Sequence, residues 1–307
     1  MRQAATIVRE YIRNKRPAPY RSRPGGGYRA LISRLTGAIV RAMLVVVMIA
    51  TPSVVTQSVS QDTAEVVALV ALFAAALTFF EYASTYPGLV EFRDAPPFNR
   101  IRFLSLFLTV FLLSVVCMGQ NDPAVLAKLI SYLGGHVADM LDFPYSPVRL
   151  MTLMLPEGTS AAHLQLVRIT AGLAYFISLI TLIVFIVTIR GFGWPSAEGT
   201  FNVWINLPTF DPTTGGDVVE RLNRDAMANV ALGFALPFVI PAVVKSAAMM
   251  FEPVTLASEH TLIWTMTTWS FLPLSLLMRG IAMGRVAAMI ALRRKMHAKL
   301  VAGLQPA

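Results

Sequence analysis

Charged residues are scarce in this sequence of 307 residues, since Asp, Glu, Lys and Arg make up 14% and hydrophobic residues 55%. Soluble domains carry about 25% charged residues, so a deficit of this size excludes an ordinary soluble domain. About 20 helical residues cross the hydrocarbon core of a bilayer. Six apolar blocks without a charged residue approach or reach that length: 42–61, 66–80, 103–121, 169–189, 226–244 and 261–278.

Cysteine is almost absent as well, and Cys117 is the single one. This excludes an internal disulfide and any cluster of several cysteines around a metal. The HExxH, GxSxG, P-loop and paired CxxC patterns of known enzymes and metal sites do not occur. No carboxylate, Lys or His lies at the middle of an apolar block, where ion-coupled transporters generally need one. The sequence therefore predicts no catalytic residue, no metal site and no cofactor.

The apolar blocks predict an all-α transmembrane bundle over residues 35–279, because a helix bonds every backbone amide within one segment. A basic tail with a Pro/Gly linker precedes the bundle over residues 1–34, and a basic amphipathic helix follows it over residues 280–307. Six spans are predicted, at roughly 36–57, 63–82, 102–119, 164–190, 226–245 and 260–279.

Basic residues are distributed unevenly in this six-span arrangement. Of the 26 Lys and Arg residues, all but Lys128, Arg149, Arg168 and Lys245 fall on the side that holds both chain ends. Basic residues are retained in the cytoplasm during insertion, so both termini are predicted to be cytoplasmic. The Arg- and Ala-rich composition favours a bacterial inner membrane, whose anionic headgroups attract basic segments. We expect no nucleic-acid partner.

The segment 120–163 is predicted to lie on the outer side, and it is more than a plain loop. A stripe of apolar residues recurs in it at helical spacing, with polar residues opposite. The stripe consists of Leu126, Leu129, Ile130, Leu133, Val137, Met140 and Leu141. This pattern predicts an amphipathic interfacial helix that lies flat on the outer membrane face. A second apolar stretch, at 148–155, is predicted to lie there too.

Two features inside the spans are candidates for a specific role. Arg41 and Glu81 lie near the same end of the first two spans, where we expect Arg41 to reach the headgroups while Glu81 stays hydrated. The two residues are also the candidates for a structural ion pair. Pro237 and Pro241 remove two backbone donors from the fifth span and predict a kink, which favours packing or, alternatively, a substrate site.

The remaining candidates are binding surfaces. Three histidines, His136, His163 and His260, fall in one outer layer and are the candidates for ligand or cofactor binding, although none has ligand spacing. Aromatic residues of the inner loop and a small apolar face in the N-terminal tail are predicted to dock on lipid or a partner protein. These docking candidates are Ile7, Val8, Tyr11, Ile12, Trp194 and Trp204.

These features favour a non-catalytic membrane component, such as a scaffold, an assembly factor or an accessory subunit of a larger complex. Charge-poor spans, an aromatic inner loop and a tethered basic tail suit docking to other membrane subunits. A small-solute transporter or channel with a Pro-kinked fifth span is the alternative. A membrane enzyme acting on lipid has the least support.

Overall fold

The computed structural model describes residues 26–56, 60–119, 124–191, 193–195, 201–211, 213, 215–248, 250 and 256–304. Within these residues the fold is all-helical, and six helices are long and apolar enough to cross a membrane. The described helices are α1 (Gly26–Thr56), α2 (Gln61–Ala83), α3 (Phe98–Met118), α4 (Val125–Leu141), α5 (Pro147–Leu153), α6 (Ala161–Gly191), α7 (Val203–Asn206), α8 (Val218–Ala247) and α9 (Glu259–Leu304). The predicted polytopic helical bundle is confirmed.

The long helices α1, α2, α3, α6, α8 and α9 run alternately up and down the bundle. The beginning of α1, the end of α2 and the second half of α9 therefore share one end of the bundle. We call this the basic end, because Arg34, Arg93 and Arg279 lie there. The opposite end holds α4, α5, the end of α8 and the beginning of α9.

Helices α8 and α9 form the most extensive helix pair, and glycine lets their backbones approach closely. A Cβ atom at Gly233 would lie 2.8 Å from the carbonyl oxygen of Pro273. A Cβ atom at Gly280 would lie 2.7 Å from the carbonyl oxygen of Ala226. Small residues at crossings allow helices to associate in lipid, where no hydrophobic force draws them together.

Helix α9 is longer than the sequence indicated. A span ending at residue 279 and a separate helix from residue 280 were predicted, but α9 runs through this boundary as one helix of 46 residues. At 1.5 Å per residue such a helix is about 69 Å long, more than twice the thickness of the hydrocarbon core. Helix α9 therefore extends beyond the membrane at the basic end. Helix α1 also begins early, inside the predicted linker.

Helix α4 is the helix predicted within residues 120–163, but its buried face is made of small residues. Ala127, Gly134 and Ala138 are buried, and a Cβ atom at Gly172 of α6 would lie 2.7 Å from Cα of Ala138. The neighbouring face keeps its large apolar side chains exposed, among them Leu126, Leu129, Leu133 and Met140. The helix thus packs by its small face and leaves its leucines free to contact lipid.

The second apolar stretch of this segment has a different position from the one predicted. Val148 and Met151 of α5 are buried, and α5 packs against α6 and α8. The prediction that residues 148–155 lie on the membrane face is therefore wrong. Val148, Met151, Met154 and Leu155 belong to the apolar core, whereas Leu153 is half exposed.

Helix α8 continues through Pro237 and Pro241, both of which are buried. Pro241 has no N–H group, so the carbonyl oxygen of Pro237 loses its helical donor. The indole Nε1 of Trp269 on α9 donates to that oxygen at 3.1 Å, in a buried position. This bond gives the proline pair a role in packing. The kink itself stays a prediction.

Replacing Trp269 by Phe should keep the ring packing but leave the Pro237 oxygen unbonded, at a cost of about 1–3 kcal/mol in the free energy of unfolding. In a Pro241→Ala background the helix regains its own donor, so the same replacement should cost clearly less. Unfolding in detergent measures both. Trp264→Phe is the matched control, because the Trp264 indole has no hydrogen bond to a described residue. Equal costs of Trp269→Phe in the two backgrounds would contradict the assignment.

Candidate functional site

The loop 84–97 folds onto the helices at the basic end around a buried cluster of aromatic rings. The ring of Phe92 lies 4.4 Å from that of Phe98 and 5.5 Å from that of Trp194, measured between centroids. Trp194 is 4% exposed, and its Nε1 donates to the carbonyl oxygen of Ala95 at 3.1 Å. The prediction that Trp194 docks on lipid or a partner is therefore wrong. Trp204 is 55% exposed and remains accessible.

An ion pair joins this loop to α9. Arg279 donates to Glu91 through Nε at 2.7 Å and through Nη2 at 2.9 Å, and the Glu91 side chain is 12% exposed. The hydroxyl of Thr209 also donates to Glu91, at 2.7 Å. This bidentate geometry is among the strongest that a carboxylate makes. The pair therefore fixes the loop, the segment around Thr209 and α9 relative to one another.

Arginines also complete the C-terminus of α2, where the last carbonyl groups have no helical donor. Arg34 Nη2 donates to the carbonyl oxygens of Ser84 at 2.7 Å and Ala83 at 3.3 Å. Arg93 Nη1 donates to the carbonyl oxygens of Ser84 at 2.8 Å and Glu81 at 2.9 Å. Positive charge at a helix C-terminus also offsets the helix dipole.

Arg41 and Glu81 lie near the same end of α1 and α2, but the candidate ion pair between them is not among the salt bridges of the described residues. The Glu81 carboxylate instead accepts bonds from the backbone N–H groups of residues 88–90, at 3.0–3.2 Å. Arg41 Nη1 donates to the carbonyl oxygen of Gly37 at 2.7 Å, and its guanidinium lies 4.6 Å from the Tyr82 ring centroid. The backbone of the loop after α2 thus binds the Glu81 carboxylate in place of Arg41.

A cavity of about 480 Å³ opens between α1, the end of α2 and α7. Three of its lining residues are arginines, and we call it the arginine cavity. Asp94 is the one carboxylate that lines it. The basic side chains are Arg34, Arg41 and Arg93, and the hydroxyl groups come from Ser33, Tyr82 and Thr85. The arginine cavity therefore has a positive electrostatic character.

The opposite end has an ionic network of its own, which the sequence did not predict. Arg168 of α6 pairs with Asp139 of α4 and, through Nε at 2.9 Å, with Asp142. Arg149 of α5 also donates to Asp142, at 2.7 Å. Two of the four basic residues assigned to this side of the membrane thus hold α4 and α5 on α6.

The three candidate histidines have separate places at this end. His260 of α9 bonds to the Ser53 hydroxyl of α1 at 3.3 Å. His136 bonds to the carbonyl oxygen of Tyr132 in its own helix at 3.0 Å. His163 lies in the first turn of α6. Within the described ranges, no group of three or more His, Cys, Asp or Glu side chains is placed to hold a metal ion.

An exposed ion pair also lies at the basic end, at the start of α8. Asp217 caps α8 by accepting the Val219 N–H at 2.7 Å, and Arg294 of α9 donates to its carboxylate at 2.9 Å. The bond from Val219, followed by the one from Arg294, lowers the pKa of Asp217. Both side chains of the pair are about half exposed, at 50% and 52%.

The candidate docking residues of the tail, Ile7, Val8, Tyr11 and Ile12, lie outside the described residues. Comparison with models of protein families, with curated proteins and with solved structures finds no match for this chain. Its function must therefore be inferred from its own residues.

Replacing Glu91 by Gln should leave Arg279 largely buried without a counter-charge and lower the free energy of unfolding by about 3–5 kcal/mol. Glu91→Gln combined with Arg279→Gln should cost less than the two single changes together. Asp217→Asn is the control: Asn caps a helix as well as Asp does, and exposed pairs contribute little. Denaturant unfolding in micelles measures all variants. Similar small losses for Glu91→Gln and Asp217→Asn would show that the buried pair does not organise this end.

Proposed function

We propose that this multi-pass membrane protein is a non-catalytic scaffold, assembly factor or accessory subunit of a larger complex in a bacterial inner membrane. The packing of α2 is the observation that supports this most. Among the described helices α2 contacts α1 alone, and Ala71 is the single residue of α2 that is buried. Of the residues in the most apolar 18-residue stretch of α2, 6% are buried, whereas 44% are buried in the corresponding stretches of both α3 and α6.

A membrane-spanning helix that packs against one other helix leaves most of its circumference exposed to lipid or to another protein. Large apolar side chains cover this surface of α2, and Leu69 and Phe73 are 68% and 67% exposed. Alanines at positions 64, 68 and 76 of α2 are exposed as well. Small residues allow the close approach on which helix association in lipid depends. This composition supports a second membrane protein, in addition to lipid, as the neighbour of α2.

The interior of the bundle lends less support to a transporter. Among the described residues, the polar residues that are buried as a whole are Ser, Thr and Asn, and the buried guanidinium groups of Arg93 and Arg102 lie near the basic end instead of at mid-depth. Coupled transport of ions or protons generally uses ionisable groups at depth. The proline pair of α8, which motivated the transporter alternative, is engaged in the bond from Trp269.

Photo-crosslinking in living cells tests the proposal. A photoreactive amino acid at position 69 or 73 of α2 should give adducts with another membrane protein, which mass spectrometry would identify. Control positions are Val187 of α6 and Phe234 of α8, whose exposed fractions of 65% and 71% match those on α2. The controls should give lipid adducts alone.

Two results would count against the proposal. Lipid adducts alone at all four positions would mean that no protein covers α2. Protein adducts of equal yield at all four positions would mean that contacts are random collisions and that α2 has no special role.

A further inference from the structure

We propose that the arginine cavity binds the phosphate of an anionic phospholipid at the basic end of the α1–α2 hairpin. Two arginines that line the cavity have N–H groups that are still free to bind a ligand. Arg34 donates to backbone carbonyl oxygens through Nη2, and Arg41 donates to the Gly37 carbonyl oxygen through Nη1 and contacts the Tyr82 side chain. Each guanidinium has five N–H groups in a planar fork that suits phosphate oxygens. Further N–H groups of both arginines are thus available to a ligand.

The cavity also has more positive than negative side chains, which favours binding of an anion. Three arginines line it and Asp94 is the one carboxylate opposite them, already in contact with Arg93 at 3.1 Å. Glu81 is the nearest further carboxylate on α2, but the backbone N–H groups of residues 88–90 hold it. The loop therefore leaves Arg34 and Arg41 without an acidic partner among the described residues.

The position of the cavity favours a lipid over a soluble phosphate compound. It lies where α1 and α2 reach the end of their spans, which is the depth of the lipid headgroups. One turn further into the bundle, the apolar side chains of Leu44 on α1 and Leu77 on α2 are 44% and 41% exposed. Acyl chains that hang from a phosphate in the cavity would contact these side chains. Basic pockets between transmembrane helices recognise anionic headgroups in this way.

Gly37 provides the room that the Arg41 guanidinium occupies. A Cβ atom at Gly37 would lie 2.8 Å from Nη1 of Arg41. The contact is with the far end of a flexible side chain, so a larger residue should displace the guanidinium without breaking the helix. Gly37→Leu therefore fills the cavity while it keeps every charge.

Lipid binding to the purified protein tests the proposal, with native mass spectrometry as the readout and phosphatidylglycerol as the probe. Wild-type protein should bind phosphatidylglycerol in preference to phosphatidylcholine. Loss of one charge-assisted bond weakens binding about tenfold or more, so Arg34→Gln with Arg41→Gln should nearly abolish this preference. Gly37→Leu should reduce it as well. Lys295→Gln with Lys299→Gln is the control, because it removes the same charge from exposed positions at the basic end.

Each other outcome overturns the proposal. An unchanged lipid preference in both cavity variants would show that the cavity does not bind lipid. An equal loss in the Lys295 and Lys299 control would indicate diffuse attraction to the basic end. Thermal unfolding with added ligand is the second measurement. If inorganic phosphate raises the Tm of the protein as much as phosphatidylglycerol does, the ligand is a soluble phosphate compound. If the double arginine variant does not fold, Gly37→Leu decides the question alone.

Discussion

Backbone carbonyl and amide groups that lose their helical partner need another one, most strictly inside a bilayer where there is no water, and polar side chains of the protein supply it. Pro241 frees the carbonyl oxygen of Pro237, and Trp269 bonds to it. The end of α2 frees several carbonyl groups, and Arg34 and Arg93 donate to them. The amides that follow α2 donate to Glu81. Several polar side chains within or beside the spans thus have a structural task.

The α1–α2 hairpin differs from the rest of the bundle in two respects. Helix α2 has one helical neighbour and a wide apolar surface, and the arginine cavity lies at the same hairpin's basic end. A lipid phosphate bound there would contact Arg34 and Arg41 of α1 beside the end of α2. The same lipid would lie at the edge of the surface that we propose for a partner protein. The two proposals are separate, but both assign function to the hairpin that the bundle packs least.

The sequence predicted the spans well because apolar length is a local property that any single helix must satisfy. It failed where a charge was paired by a distant residue. Arg279 was taken as the end of a span, yet Glu91 neutralises it and α9 continues. Glu81 was a candidate partner of Arg41, yet backbone N–H groups of a loop without periodicity bind the carboxylate. Trp194 was assigned to the surface, but its burial depends on how the distant loop 84–97 folds against it. The density of Pro, aromatic and charged residues in 87–100 was the one signal that this loop is ordered.

We propose that the basic end of the bundle, with the arginine cavity and the buried ion pair, faces the cytoplasm. Single cysteines at exposed positions test it most directly, in a background that carries Cys117→Ala. A thiol reagent that does not cross the membrane should label Glu157→Cys in intact cells, without permeabilisation. It should label Lys295→Cys after permeabilisation only. Labelling of both positions in intact cells, or of neither, would contradict the arrangement.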